Sequence, residues 1–567
     1  MGSKSSQKKT KKTKLKHLNR SMYSAVYEIS GKYPNNTAVE YHGRKISYRE
    51  FMNTVLKCAA SLKQLGIRQN DSVTICMPNV PQAIVMLYAV NRVGAVANMI
   101  HPSSAENEIE FYLRDSDSKA CLTTDELFPK FKAFIENDTL PLLITTGVSE
   151  MMGTLRKPVY HFTEGRFIDV IPMHEKVMDW EDFLREGEHY GGDYAETIKS
   201  DDIAVILYSG GTSGQIKGIG LTNRNFNSLA EQFFAVNTAF AHGDKVLSSM
   251  GISHGYGLGI GIHSVLALGG RCILTTNDSA ESFAKCIKNS KPNYIAAVPS
   301  MLDRLLRTPL LDSVNLKFLK GVFCSSDKLP AELKNRFNYF LKERYSDVTV
   351  REGYGTTECI TISCFTPENE QRKGSIGKPL PDTRYAIVKT GTTDECEFGE
   401  FGEICISGPT VMKCYVNNSV ETADILRIHP DGRRWLHTGD LGKMDSDGYV
   451  YFDQRIKRMI ITNGYNVYPS QLESVINKCR YVELNCVIGV PDRKEGQRVK
   501  AFVQLKKEYE KSEDLKERIA LYCRQNMSDY AIPKEIEFVD SFPKTFTGRI
   551  AYKEMMKLEQ QRFEEDI

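Results

Sequence analysis

Tyr208-Ser209-Gly210-Gly211-Thr212-Ser213-Gly214-Gln215-Ile216-Lys217-Gly218 follows the apolar run Ala204-Val205-Ile206-Leu207, and together they read as a buried strand running into a loop. Glycines let backbone N–H groups point inward at an anion, hydroxyls add donors, and Lys217 supplies a cation. Polyphosphate is the guest that suits this chemistry. The spacing matches neither the GxxxxGK[ST] loop of common nucleotide hydrolases nor the GxGxxG turn of dinucleotide folds, so a different nucleotide chemistry is implied. A glycine cluster alone would read as a flexible surface loop; the strand before it and the lysine after it weigh against that.

At 567 residues the chain exceeds one compact core, and two or more domains are expected. The formal net charge is +3, yet residues 1–20 hold Lys4, Lys8, Lys9, Lys11, Lys12, Lys14, Lys16 and Arg20 with no acid. That arm carries +8 and leaves −5 for the rest, so the folded body is mildly acidic and not an obvious nucleic-acid binder. The arm admits three readings: a solvated, disordered tail, a polybasic contact with a membrane surface, or an appended remnant. Met1-Gly2 with Ser6 also fits the N-myristoylation pattern. The 14 cysteines are scattered, with no CxxC pair and no Cys/His spacing typical of zinc, which favours reduced structural thiols and a cytoplasmic setting. The most apolar windows, residues 84–100 and 257–268, contain Asn91 and Arg92 or His263, so no membrane span is expected.

Helical and strand patterns alternate over residues 21–452, with a helix at 51–65 and a strand at 72–76, which argues for α/β layers. Residues 137–200 are richer in charge and loops. The expected organisation is a basic tail at 1–20, a large α/β domain at 21–452, a charged boundary at 453–457 and a small α+β domain at 458–567.

Four more clusters lie downstream. Gly353-Tyr354-Gly355-Thr356-Thr357-Glu358 offers an aromatic face on which adenine can stack and a carboxylate suited to Mg²⁺, which prefers hard oxygen ligands; alone it would read as an ordinary turn. Trp435-Leu436-His437-Thr438-Gly439-Asp440 ends a strand pattern in an acceptor for ribose hydroxyls, a weak signal by itself. Residues 455–469, from Arg455-Ile456-Lys457-Arg458 through Asn463-Gly464-Tyr465 to Pro469, precede Glu473 on an expected helix. Pro543-Lys544-Thr545-Phe546-Thr547-Gly548-Arg549-Ile550 presents a cation on a turn. Either could be a plain basic surface.

Taken in order, with Ile46-Ser47-Tyr48-Arg49-Glu50-Phe51 at the start, these motifs resemble the adenylate-forming enzymes, the superfamily of acyl-CoA synthetases, luciferases and peptide-synthetase adenylation domains. The resemblance implies a large multi-layered N-terminal domain of sheets and helices and a small mobile C-terminal domain that rotates about Lys457. It implies ATP, Mg²⁺ and coenzyme A as cofactors, with a small carboxylic acid, fatty or aryl, as substrate. Ser209, Gly211, Thr212, Ser213, Gly214 and Lys217 would form the phosphate segment, and Thr357 would contact the α-phosphate. Glu358 would bind Mg²⁺, Gly353, Tyr354, Gly355 and Thr356 would flank adenine, and Asp440 and Arg455 would hold ribose. His254 would line the acyl pocket or serve as a satisfied core histidine, and Gly464 would leave room for pantetheine. Gly255, Gly257, Gly259 and Gly261 could leave space for a long or flat acyl tail.

The chain departs from the family pattern at four places, one of them Ile216, which replaces the common proline or threonine of the phosphate loop and leaves the loop's donors unaffected. Arg549 stands where the adenylation lysine is usual, and a planar guanidinium is not equivalent to a compact ammonium at a tightly fitted site. Gln454 stands where glycine is usual, and Arg458 where an acid is usual. An acid–CoA ligase is the leading expectation. The alternatives are an acyl-AMP or acyl-carrier-protein ligase, and a nucleotide- or acyl-binding protein whose catalysis is impaired by Arg549.

Overall fold

The computed structural model describes residues 19–153, 171–192, 197–210, 216–276, 279–458, 460–462, 465–467, 469–492, 496–527, 531–544 and 550–565. The chain divides into two compact units. One runs to Ala386 and takes in Cys405–Thr438 and Met444–Tyr451; the other comprises Ile387–Ile404, Gly439–Lys443 and Phe452–Ile567.

The first unit contains two large sheets. In one, Ile203–Gly210, Val96–Ile100, Ser72–Cys76, Ser118–Thr124, Leu143–Thr146 and Val177–Asp179 run parallel. Ile216–Thr222 and Cys414–Tyr415 extend its edge antiparallel. In the other, Val350–Tyr354, Gly321–Cys324, Tyr294–Ala297, Lys245–Ser248, Arg271–Leu274 and Thr37–Tyr41 form the parallel centre. The central strands Ser72–Cys76 and Val96–Ile100 are buried at every position, as parallel strands covered on both faces must be, and so read as continuous apolar runs.

Helices Met22–Lys32, Tyr48–Gln64, Pro81–Arg92 and Asn223–Val236 form a layer that packs on strands of both sheets. The Tyr48–Gln64 helix starts where Ser47 accepts from the Glu50 N–H, three residues before the expected start, and ends one residue before the expected end. Pro81–Arg92 is buried around nearly its whole circumference, which explains why its window resembled a membrane segment. The polar residues Asn91 and His263 of the two apolar windows have partners within the fold. Asn91 accepts from the Tyr23 N–H at 2.8 Å and donates to Asn223 Oδ1 at 2.8 Å. His263 lies between Tyr88 and Asn227, 3.1 Å from each. Among the described residues, no helix is long and apolar enough to cross a membrane.

The second unit is built on the long hairpin of Val482–Asp492 and Gly496–Leu505, with Glu535–Phe538 parallel to the latter and Ile460–Thr462 antiparallel. Side-chain alternation gives it two apolar faces. Val487, Val499, Ala501 and Val503 meet Leu472 and Ile476 of the helix Pro469–Ile476 and Leu515 and Ile519 of Glu513–Asn526. Cys486, Ile488, Val490 and Phe502 meet Met555 of Tyr552–Glu565.

Candidate active site

The strand Ile203–Gly210 turns back into Ile216–Thr222, with Ser209 opposite Lys217 and Tyr208 opposite Gly218. The glycine-rich stretch therefore joins two arms of a hairpin, rather than a strand and a helix. Gly211, Thr212, Ser213, Gly214 and Gln215 lie outside the described residues. Cys414–Tyr415 pairs along the outer arm, and the Val416 N–H donates to Gly218 O at 2.7 Å, which sets Tyr415 beside Lys217. Lys217 Nζ lies 5.0 Å from the Tyr415 ring centroid and is in ion contact with Glu421. The Tyr415 hydroxyl donates to Glu358 Oε1 at 2.9 Å, a charge-assisted bond of about 1.5–3 kcal/mol. One cation and two carboxylates thus share a cluster from three distant parts of the chain.

Beneath the hairpin, the Tyr208 and Tyr112 rings pack with centroids 4.2 Å apart and planes tilted by 43°. Burial first, and then the Asp115 carboxylate, push its phenol pKa far up, so Tyr208 stays neutral. Burial also raises the Asp115 carboxyl, against the opposing hydrogen bond from Asn417.

Val350–Tyr354 ends in the turn that carries Glu358, at the carboxyl edge of a parallel sheet, where open α/β sheets place their ligands. Gly355 is required here: an added Cβ would lie 2.8 Å from the carbonyl carbon of Thr361 and 2.9 Å from its oxygen. After the short helix Thr357–Cys359, Ile360 and Thr361 both adopt left-handed backbone, φ 56° and 69°. Two consecutive β-branched residues in this region cost on the order of 1–3 kcal/mol each. Backbone bonds hold them there: Thr361 N–H to Thr356 O at 2.7 Å, and Ser363 N–H to Tyr354 O at 2.8 Å. The turn is thus rigid before any ligand arrives.

His254 Nδ1 accepts from the Tyr256 N–H at 3.1 Å, just before a π-helical stretch at Gly257–His263. Such widened turns concentrate at functional sites. The glycines here do not leave the lane suggested for an acyl tail. A Cβ at Gly255 would lie 2.6 Å from Thr361 Oγ1, at Gly259 2.6 Å from Ile360 Cγ2, and at Gly261 2.6 Å from Ser248 Cβ; at Gly257 it would meet the backbone of Gly251. The protein itself fills these spaces, and two of the four glycines admit the strained Ile360–Thr361 pair.

In the second unit, Asp440 and Arg455 come together, Arg455 Nε 2.9 Å from Asp440 Oδ1, with the carboxylate 2% exposed and the guanidinium 38%. Gly439, at φ 67°, donates its N–H to Glu403 Oε1 at 3.0 Å, which fixes the backbone before Asp440. Lys457 lies in the single turn Ile456–Arg458. The two unusual residues near Lys457, Gln454 and Arg458, each find a partner within the second unit. Gln454 Oε1 accepts from the Ser470 N–H at 3.1 Å, capping the helix Pro469–Ile476. Arg458 pairs with Glu473, donates to Val487 O at 3.2 Å and lies over the Tyr552 ring at 4.9 Å.

Gly464 and Arg549 lie outside the described residues. Tyr415 and Glu421 carried no sequence signal, since each acquires a role only through contact with Lys217. The same holds for the turn residues Ile360 and Thr361.

Residues 27–416 match the family model of AMP-binding enzymes, and residues 471–549 that of the AMP-binding enzyme C-terminal domain. The chain is 31% identical over 547 residues to the long-chain-fatty-acid–CoA ligase of Bacillus subtilis (strain 168), covering 95% of each. It is 28% identical over 553 residues to the enzyme of that name from Salmonella typhimurium, again covering 95% of each. Among solved structures, the ATP-bound RpMatB-BxBclM chimera B1 has a TM-score of 0.81 at 25% identity, over 96% of this chain and 99% of that one. The anthranilate CoA ligase AuaEII with anthranoyl-AMP has a TM-score of 0.79 at 23% identity, over 96% and 98%.

Proposed function

The chain belongs to the AMP-binding enzymes, and from that premise we propose that it is an ATP-dependent acid–CoA ligase acting on a fatty or aryl acid. The observation that carries this reading is the cluster of Lys217, Tyr415 and Glu358 beside the rigid Gly355 turn. A fatty acid is the favoured substrate, because the similar Bacillus and Salmonella proteins are named long-chain-fatty-acid–CoA ligases.

In the first half-reaction, a substrate carboxylate oxygen attacks the α-phosphorus of ATP and pyrophosphate leaves, giving an acyl-adenylate. In the second, the sulfur of CoA attacks the acyl carbonyl and AMP leaves. An ionised carboxylate needs no general base, so the protein's task is positioning and charge neutralisation. Lys217 lies on a hairpin arm where it can meet β- and γ-phosphate oxygens, with Thr212 and Ser213 in the joining segment. Tyr415 orients Glu358 so that its free oxygen is available as a hard ligand, a donor set that fits Mg²⁺. Bound there, Mg²⁺ would neutralise polyphosphate charge. Thr357, on the same short helix as Glu358, is assigned to the α-phosphate, and Tyr354 with Gly353, Gly355 and Thr356 to adenine. Asp440 accepts from ribose hydroxyls while Arg455 holds its carboxylate in place. Rotation of residues 458–567 about Lys457 would then bring Gly464 to the thiol.

The test is carboxylate-dependent ATP–pyrophosphate exchange with acids of graded length, followed by thioester assay with CoA or with holo acyl-carrier protein. Exchange together with acyl-CoA is expected. Thioester formed only on the carrier would make this an acyl-carrier-protein ligase instead. Arg549 favours one further reading, a binding protein with impaired catalysis. MgATP binding without exchange on any acid would establish it. Arg549→Lys is expected to preserve or raise exchange; a large fall would mean the site is rebuilt around arginine. A contact of the basic arm with anionic lipid, one of its three readings, is checked by co-sedimentation with phosphatidylserine vesicles; binding lost when residues 1–18 are removed would support it, and no binding would leave the solvated tail.

A further inference from the structure

Cys405 stands 24 residues before His429, and His429 eight before His437, a pattern that fits no zinc spacing. The strand Gly402–Ser407, the end of the hairpin strand Leu426–Ile428 and the strand Arg434–Met444 nevertheless bring them into one cluster. A metal-capable atom of each lies within 4.8 Å of the others, and their exposures are 0%, 5% and 4%. The two Nε2 atoms are 3.0 Å apart. Trp435 stacks on His429 with centroids 5.1 Å apart and planes 19° apart, and its indole N–H donates to Asp431 Oδ1 at 3.1 Å. The His429 N–H donates to Arg433 O at 3.0 Å across the turn. One imidazole plane is therefore held from the ring side and from the backbone side, as a ligand needs to be.

We propose that Cys405, His429 and His437 form a buried site for a borderline-to-soft transition-metal ion, Zn²⁺ or Cu⁺. One thiolate and two imidazoles are the donors these ions prefer, and they suit neither Mg²⁺ nor Ca²⁺. Around an ion with bonds of about 2.0–2.3 Å, tetrahedral ligand atoms sit about 3.3–3.6 Å apart. The two nitrogens need to separate by a few tenths of an ångström, and the sulfur, within 4.8 Å of them, to approach by at most about 1.2 Å, movements that χ rotations supply. The rival state is a hydrogen-bonded histidine pair packed on a thiol, with no ion. The two states differ in protons. The hydrogen-bonded pair needs an N–H on one Nε2; the metal state needs both Nε2 lone pairs. The hydrogen of that ring then sits on Nδ1, and the Cys405 thiol proton goes to solvent, so one proton is released per ion bound. His437 stands three residues before Asp440 on the same strand, and an ion here would clamp the hairpin leading into that aspartate. The proposal does not depend on the ligase reading.

The test uses the full-length chain, stripped with chelator and titrated anaerobically with Co²⁺ as the probe for Zn²⁺, and separately with Cu⁺ against a competing chelator. Expected are one equivalent bound, a thiolate-to-cobalt charge-transfer band displaced by Zn²⁺ or a stoichiometric Cu⁺ uptake, one proton released, and a metal-dependent rise in Tm. Cys405→Ser and His429→Gln are expected to weaken binding at least 100-fold and to abolish the Tm rise; circular dichroism checks that each is folded. No charge-transfer band and no Cu⁺ uptake in the wild-type chain would overturn the proposal, as would equal binding by folded variants. If both variants fail to fold, proton release and band intensity in the wild type still decide it.

Discussion

Glu421→Gln removes the carboxylate that faces Lys217 while keeping side-chain size and the hydrogen-bonding reach toward Asn418, now 2.9 Å away. In the ligand-free protein, Lys217 is neutralised by Glu421, so an incoming polyphosphate must compete for it. Two unit charges about 4 Å apart at an effective dielectric near 20 attract by about 4 kcal/mol gross. The lysine is 13% exposed and the carboxylate 31%, so solvent and side-chain entropy reduce the net value to about 1 kcal/mol. Freed of that competition, MgATP is expected to bind about fivefold more tightly. Isothermal titration with MgATP and the KM for ATP in pyrophosphate exchange both read this, with kcat little changed. Lys217→Met lowers affinity, and in that background Glu421→Gln is expected to add nothing, because the pair acts as a unit. Unchanged or weaker MgATP binding in Glu421→Gln would refute the reasoning, and with it the assignment of Lys217 to phosphate.

Gly355→Ala drives a Cβ into the Thr361 backbone, which the hydrogen bonds of the turn hold in place; about 1–3 kcal/mol of lost stability and at least about tenfold lower exchange are expected. Thermal denaturation and exchange kinetics read both, and wild-type values would show that the turn relaxes. Arg458→Ala leaves Glu473 in a largely buried setting without its cation, at a cost of about 2–4 kcal/mol in chemical denaturation. Adding Glu473→Ala is expected to recover part of the loss, and strict additivity of the two would deny the pairing. Burial drives His263 down to about 3, against about 6.5 when unfolded. The unfolded chain therefore takes up a proton that the folded chain refuses. The resulting stability is fully present above pH 6.5 and lost as pH falls from there toward 3. Between pH 7 and pH 5 the wild type is expected to lose about 2 kcal/mol more than His263→Gln in urea denaturation. Equal losses would mean that His263 is protonated in the fold.

The layered α/β architecture was legible because parallel strands and their crossover helices leave local patterns, such as the uniformly apolar Ser72–Cys76. The same local reading misjudged Gly255, Gly257, Gly259 and Gly261. Residue type announces a missing side chain, but not whether ligand or protein occupies the space, and here Ile360, Thr361 and Ser248 are among the occupants. Arg458 and Gln454 looked like departures from a family pattern. Their partners, Glu473 and Ser470, lie on the helix that begins a dozen residues later, and no periodicity announces such a pairing.

Parts whose chemistry is local can be read along the chain alone. These are the hydroxyl- and glycine-rich stretch ending in Lys217, the side-chain-free turn before Glu358, and the acid at the end of the Trp435–Asp440 motif, since backbone freedom and formal charge belong to single residues and their neighbours. Only the tertiary structure decided what those parts meet. Strand pairing at the sheet edge carries Tyr415 between Lys217 and Glu358, and Glu421 onto the lysine. A hairpin and a neighbouring strand gather Cys405, His429 and His437. Such contacts join residues from eight to about two hundred positions apart, and they are set by how sheets and helices bury their apolar faces, which a reading along the chain does not contain.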